Sequence, residues 1–406
     1  MIGALVAALL VVGPLPPDAG PLPPGQVPGP AAELHAPPSC APADGGAAGP
    51  APDASATALR LATAHDIATG RGVLIAVVDT GVTPHPRLAG RLRGGGDYVR
   101  GGTGLDDCDG HGTAVAGLLA AAPDPGDGFV GIAPGAQLLS IRQSSTKFTV
   151  PDGAGGLRPV GDAGTLADAI VLAVRSGAKV VNVSEAGCVP QGRAASVTGP
   201  LRAALRFAVD SGVVVVAAAG NADSDGCRGP GLVSLPGWVG EDVLTVGAVD
   251  DRGEAADFSL RGPWVDVAAP GARQRSLAVE RGFATTPVDG TSFATPWVAG
   301  TAALLFERYP SLSAREVMDR ITGTAHRPAG AVDDAVGRGV LDPVAALTAA
   351  PLSPASAATA PTAPLPGLGG RPAPSPALPP AAGIVVAVVL AGAAAVAVRA
   401  LRRPRR

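Results

Sequence analysis

Three residues in this chain combine the chemistry needed for acyl transfer with surroundings that would leave it accessible. The stretch VVDTGV puts Asp79 at the end of an apolar run, just before a glycine turn. DGHGTAVAG puts His111 between glycines, and GTSFATPWVAG puts Ser292 in a similar setting of small residues. Acyl transfer needs a hydroxyl activated by an imidazole, and a carboxylate that fixes the imidazole's tautomer and stabilises its cation. The neighbouring glycines remove side chains that would block a substrate backbone, and a serine at a helix N-terminus feels a favourable dipole. A site of this kind must be open to a polypeptide.

Such residues need a frame to bring them together. The runs VLIAVVD (73–79), QLLSI (137–141), KVVNVS (179–184), GVVVVAAAG (212–220) and DVLTVGAV (242–249) are apolar without in-out alternation. Strands buried on both faces have that character. Helical stretches are expected at 113–121, 165–176, 200–210, 292–308 and from Ala314, the last supported by the capping-box spacing of Ser313 and Glu316. Strand and helix in alternation predict an α/β fold with a doubly wound, mostly parallel sheet. Ligands of such sheets lie beyond the carboxyl ends of the strands, where Asp79, Asn182, Ser184 and Asn221 close apolar runs. Taken singly, each of these four reads as a residue capping a loop.

The bulk composition excludes several classes. With 31 basic against 34 acidic side chains, no whole-protein field would draw nucleic acid. Cys40, Cys108, Cys188 and Cys227 have no CxxC spacing and no histidine cluster, so two disulfides fit better than a metal site, with three pairings open. Asp106, Asp107 and Asp109 lack EF-hand spacing and read as a solvated loop, so no metal is expected. No cofactor is called for. His35, His65, His85 and His326 have no motif context and are expected at the surface. Trp238, Trp264 and Trp297 read as core or rim residues.

Both ends of the chain carry membrane signals. Residues 2–12 are an apolar run of signal-peptide length, without the usual preceding Lys or Arg, and a signal peptide is expected over 1–20. Residues 381–398 contain only Ala, Gly, Ile, Val and Leu, enough for a transmembrane helix. Five arginines follow within 399–406 and would hold that tail on the cytoplasmic side, leaving the main body outside the cytoplasm in a single-pass topology. Pro-rich segments at 21–57 and 351–380 flank a catalytic domain expected over 58–350.

Across about residues 58–345 the sequence resembles the subtilisin family, whose Asp, His and Ser motifs match VVDTGV, DGHGTAVAG and GTSFATPWVAG in the same order. That order differs from Ser, Asp, His of the α/β-hydrolases, and no GxSxG elbow is present, which removes a lipase or esterase. The resemblance implies a serine endopeptidase with Asp79, His111 and Ser292 as its triad. It implies Asn221, in AAAGN, as oxyanion donor, and Ser184, Glu185 and Ala186 as the segment that binds substrate backbone. Glu185 departs from the family's more usual leucine. It would either favour basic residues in a substrate or simply face solvent, the plainer expectation for a carboxylate.

Within that family the chain is similar to the mycosins, membrane-anchored proteases associated with type VII secretion. The points of similarity are the Pro-rich N-terminal extension, IRQSS at 141–145, a Gly/Pro-rich loop over 150–164 and the Arg-flanked C-terminal helix. This resemblance implies pairing of Cys40 with Cys108, and hence Cys188 with Cys227. It also implies a protein substrate, membrane components of the secretion system as partners, and an alternative role as a scaffold subunit. The extension is too short for a core of its own and is expected to wrap the catalytic domain rather than act as an inhibitory prodomain.

Overall fold

A computed structural model describes residues 28–40, 45–46, 54–222, 226–326 and 332–350. The chain divides into two units, Met1–Leu352 and Ser353–Arg406, and every described residue lies in the first. The expected signal peptide, C-terminal linker, membrane helix and basic tail lie outside the described residues. Among the described residues, no helix is long and apolar enough to cross a membrane.

The strands, in chain order, are β1 Leu74–Asp79, β2 Leu92–Asp97, β3 Gln137–Arg142, β4 Ser145–Pro151, β5 Leu157–Val160 and β6 Val180–Val183, followed by β7 Gly187–Pro190, β8 Val214–Ala218, β9 Leu232–Leu235, β10 Leu244–Val249 and β11 Val267–Pro270. The helices are α1 Ala54–Ala58, α2 Leu61–His65, α3 His111–Ala120, α4 Ala163–Arg175, α5 Gln191–Val197, α6 Gly199–Asp210, α7 Thr291–Arg308, α8 Ala314–Gly323 and α9 Pro343–Thr348. The main sheet has the order β11-β10-β8-β6-β1-β3-β2, and each of its pairings is parallel. The chain passes from β1 to the edge strand β2, returns to β3 beside β1 and then crosses to β6 on the other side, and this switch puts a crevice at the carboxyl ends of β1 and its neighbours.

The apolar runs follow from burial on both faces. Ile75 and Val77 join one core with α3 and α7, whereas Ala76 and Val78 join a second core with α4 and α6, because successive side chains of a strand point to opposite faces. The doubly wound parallel sheet expected from the sequence is therefore present, with two additional strands. β2 is glycine-rich and has a register shift between Gly94 and Gly96, and β11 spans only four residues, so neither carries a strong apolar pattern. The capping box at Ser313 and Glu316 forms.

The segment expected as a loop over 150–164 contains structure: β4 and β5 pair as an antiparallel hairpin. Its formation depends on tertiary contacts, since Phe148, Val150 and Val160 pack with Val99 and Cys108 and with Ala31 and Leu34 of the N-terminal extension. The described parts of that extension are held by backbone hydrogen bonds. Ala31 donates to the Val99 carbonyl at 3.0 Å, His35 and Thr149 exchange backbone hydrogen bonds of 2.9 and 3.1 Å, and Gly46 pairs with Phe283.

Candidate active site

The site is assembled from strand ends and helix starts. Asp79, fully buried, is the last residue of β1, and its Oδ1 accepts from the Thr80 N–H at 2.7 Å. His111 is the first residue of α3, and its Nδ1 lies 2.7 Å from the same Asp79 oxygen. This contact requires Gly112: a Cβ there would sit 2.0 Å from the Gly81 carbonyl and 3.0 Å from Asp79 Oδ1. Burial opposes a charge on His111, but the adjacent Asp79 carboxylate outweighs it, with Glu185 and Asp107 adding, and the pKa is pushed up to about 9.

Ser292 stands in the first turn of α7, after Gly290, whose φ of 153° and ψ of 154° suit only glycine. A Cβ on Gly290 would lie 2.8 Å from Ser292 Oγ and 3.2 Å from Asn221 Nδ2, so the hydroxyl and the carboxamide nitrogen converge on one space. Asn221 Oδ1 accepts from the Thr291 N–H at 3.0 Å, which turns Nδ2 toward that space. His111, Ser292 and Asn221 line one open cavity of about 360 Å³. The His111 ring also packs against Phe293, with centroids 5.1 Å apart. Among the described residues no hydrogen bond joins His111 to Ser292; such bonds commonly close only around bound substrate.

Ser184 has a function that its sequence context did not reveal. Pro296, inside α7, has no N–H to offer the carbonyl four residues earlier, which belongs to Ser292. The Ser184 hydroxyl donates to that carbonyl at 2.7 Å and itself accepts from Asn182 Nδ2 at 2.8 Å. Thus β6 braces the residue that carries the hydroxyl, and Ser184 can offer a substrate its backbone.

Two acidic expectations are corrected. Asp107 is buried, not solvated: Oδ1 accepts from Thr80 Oγ1 at 2.8 Å and the Gly110 N–H at 2.8 Å, and Oδ2 from the N–H and hydroxyl of Thr113 at 2.8 and 2.7 Å. Burial, with the nearby Asp79 charge, raises its pKa to about 6 despite those bonds. Asp109 likewise accepts from Ser145, Thr146 and Lys147, tying the loop before His111 to β4. Glu185 is half-buried on the cavity wall and accepts a hydrogen bond from the Ser144 hydroxyl, so it does not simply face solvent. Burial and the Asp79 charge push its pKa up to about 7. Ala186 follows on the same wall. Of the histidines, His35 and His326 are exposed and His65 is half-buried, but His85 is buried, its ring accepting from the Arg87 N–H and contacting the Gly282 carbonyl. Trp297 is a core residue, whereas Trp238 and Trp264 are half-buried.

Cys40 pairs with Cys108 and Cys188 with Cys227, with Cα atoms 4.5 and 5.0 Å apart. The first bond anchors the extension three residues before His111, and the second joins the segment after Ala186 to the loop after Asn221. By loop-closure entropy each would contribute at most about 4 kcal/mol. Among the described residues, no group of three or more His, Cys, Asp or Glu side chains is placed to hold a metal ion.

Comparison with known proteins shows the family. The Subtilase family (peptidase S8) matches residues 70–339, which include Asp79, His111, Asn221 and Ser292. This chain is a subtilase of the mycosin group. The subtilase is 42% identical over 329 residues to Mycosin-1 of Mycobacterium tuberculosis, covering 73% of each chain. It is similar to the solved structure of the MycP3 protease from the type VII (ESX-3) secretion system, at 39% identity and a TM-score of 0.72, covering 83% of this chain and 99% of that one. A chain in the periplasmic assembly from the ESX-5 inner membrane complex matches with 37% identity and a TM-score of 0.75, covering 88% and 98%. The subtilase is accordingly a serine peptidase. Sequence motifs marked Asp79, His111, Asn221 and Ser292, but gave no role to Thr80 within VVDTGV, to Ser144 within IRQSS or to Asp107 shortly before DGHGTAVAG.

Proposed function

We propose that the subtilase is an endopeptidase in which Asp79, His111 and Ser292 act as the catalytic triad and Asn221 as the oxyanion donor. The observation that carries this reading is the 2.7 Å contact of His111 Nδ1 with buried Asp79, beside a cavity that also holds Ser292 and Asn221. Ser292 Oγ attacks the scissile carbonyl while His111 Nε2 takes its proton, and Asp79 holds the imidazole through Nδ1. The Asn221 amide meets the developing oxyanion. His111 then protonates the departing amine, and water, deprotonated by the same imidazole, releases the acyl group. Ser184, Glu185 and Ala186 flank the acyl side of the substrate. The reaction so written draws on side chains alone, without a metal or cofactor.

We also infer an association with a type VII secretion machine at the cell membrane. Support comes from the similarity to MycP3 and to a chain of the ESX-5 inner membrane assembly. The proposed layout is a signal peptide at 1–20, an extension at 21–57, an extracytoplasmic catalytic domain at 58–350, a linker at 351–380, a membrane helix at 381–398 and a cytoplasmic tail at 399–406. A fluorophosphonate probe should label Ser292, and Ser292→Ala should abolish both labelling and peptide hydrolysis. Hydrolysis that survives Ser292→Ala would end this reading. A scaffold role alone predicts that secretion is supported while the wild-type protein hydrolyses no peptide.

A further inference from the structure

The cavity that holds His111, Ser292 and Asn221 adjoins a larger one of about 670 Å³, lined by apolar residues such as Leu166, Val189 and Leu201. Among the described residues, Glu185 is the one carboxylate on the walls of both. It follows Ser184, whose hydroxyl braces the Ser292 carbonyl, so its backbone is fixed relative to the attacking group. Its carboxylate accepts from the hydroxyl of Ser144, which also lines both cavities.

The groups around Glu185 are of mixed sign, with two carboxylates against one imidazole. The charges of Asp79 and Asp109 oppose its ionised form, whereas the Ser144 hydrogen bond and His111 favour it. None of the ion pairs among the described residues includes Glu185. The arginines on the larger cavity are Arg158 and Arg193. Arg158 is directed elsewhere, to Asp162 at 3.6 Å and to the carbonyls of Pro159 and Gly161. A half-buried carboxylate that makes one hydroxyl hydrogen bond and, among the described residues, no ion pair, with His111 already held by Asp79, has room for a cationic partner of its own. A cation supplied from outside would fill that place. The shape of the site selects among cations: a long apolar stem could lie along the larger cavity's wall while its charged tip reaches Glu185, as lysine and arginine side chains do.

We propose that Glu185 is a specificity-determining residue that binds a lysine or arginine side chain of the substrate on the acyl side of the scissile bond. This rests on the endopeptidase reading and names the class of peptide that reading would process. A purely bracing role, in which Glu185 only holds Ser144 in place, is the rival to exclude. Glu185→Gln separates the two, since the carboxamide oxygen still accepts from Ser144 but the charge is gone.

The test uses the full chain in detergent and peptides carrying lysine, norleucine or glutamate at each of the four positions before the cleavage point. At one position lysine should exceed norleucine in kcat/KM by about ten- to hundredfold, the range of a charge-assisted hydrogen bond in a partly dry site. Glu185→Gln should bring that ratio close to one, and Glu185→Lys should invert the order in favour of glutamate. Binding of the same peptides to the Ser292→Ala protein should give the same ranking in Kd. A wild-type ratio near one at all four positions, or a lysine preference that survives Glu185→Gln, overturns the proposal. Failure of Ser292 to react with a fluorophosphonate would instead strike the endopeptidase reading. In that case the binding series still decides Glu185: lysine and norleucine peptides that bind alike overturn its assignment.

Discussion

The two faces of the sheet are built from different kinds of helix, and the chemistry lies on one of them. On one face α3 and α7 are buried almost all round; every residue of α7 from Thr291 to Phe306 is buried. They fit by means of small residues, and a Cβ on Gly300 would lie 1.9 Å from Ile132 Cγ2. On the other face α4 and α6 are amphipathic: Ala167, Ile170 and Val171, and Leu201, Leu205 and Ala208, point inward while polar residues remain outside. A helix with a solvent face has room to shift, whereas one packed on all sides is located by its neighbours. His111 and Ser292 begin the two enclosed helices. Close packing around α3 and α7 therefore sets the geometry of the site, and α4 and α6 support it from behind the sheet.

Substitutions can break this contrast. The largest effect is expected from Gly112→Ala, because its methyl group would be driven into the Gly81 carbonyl and must displace His111 from Asp79. Turnover should fall by about a hundredfold or more, as for a misplacement near 1 Å, measured as kcat on a peptide substrate. Gly300→Val should overpack the α7 interface and lower stability by about 1–3 kcal/mol or more, read from chemical denaturation. Ser184→Ala leaves the Ser292 carbonyl without its donor in a buried site and should cost about 1–3 kcal/mol, with a fall in kcat that Ser184→Thr partly rescues. At the other extreme, Arg206→Ala on α6 removes a half-exposed pair with Asp210 at 3.2 Å. It should change stability by no more than about 0.5 kcal/mol.

The pH profile sharpens the same comparison. In the proposed mechanism His111 acts as a base only when neutral, and its pKa is pushed up to about 9, so kcat/KM should rise with pH through the alkaline range. Asp107 lies behind the triad with a pKa of about 6 and is ionised across that range, where it favours the imidazolium. Asp107→Asn removes this negative charge. The acid limb should consequently move to lower pH, a shift that a merely structural role for Asp107 would not produce. An unmoved limb would show that Asp107 holds the loop without tuning the base.

Much of this protein could be read from residue order. Burial on both faces is written into the near-continuous apolar runs of β1, β6, β8 and β10. The proposed triad was legible in Asp79, His111 and Ser292, each with small residues beside it, since acyl transfer to a polypeptide requires both. Asp107 and Glu185 could not be read in that way. Both are carboxylates in polar-looking stretches, and composition predicts solvent for each; only the approach of Thr80 and Thr113 to one, and of Ser144 to the other, takes them out of water. The β4–β5 hairpin is similar, because its apolar residues gain a core only when the N-terminal extension and the Cys108 loop fold against them. Periodicity reports which side of its own element a residue faces, which is a local property of the backbone. Which polar groups meet across the cleft, and with what charge, depends on distances between segments far apart in the chain, and those were decided by packing.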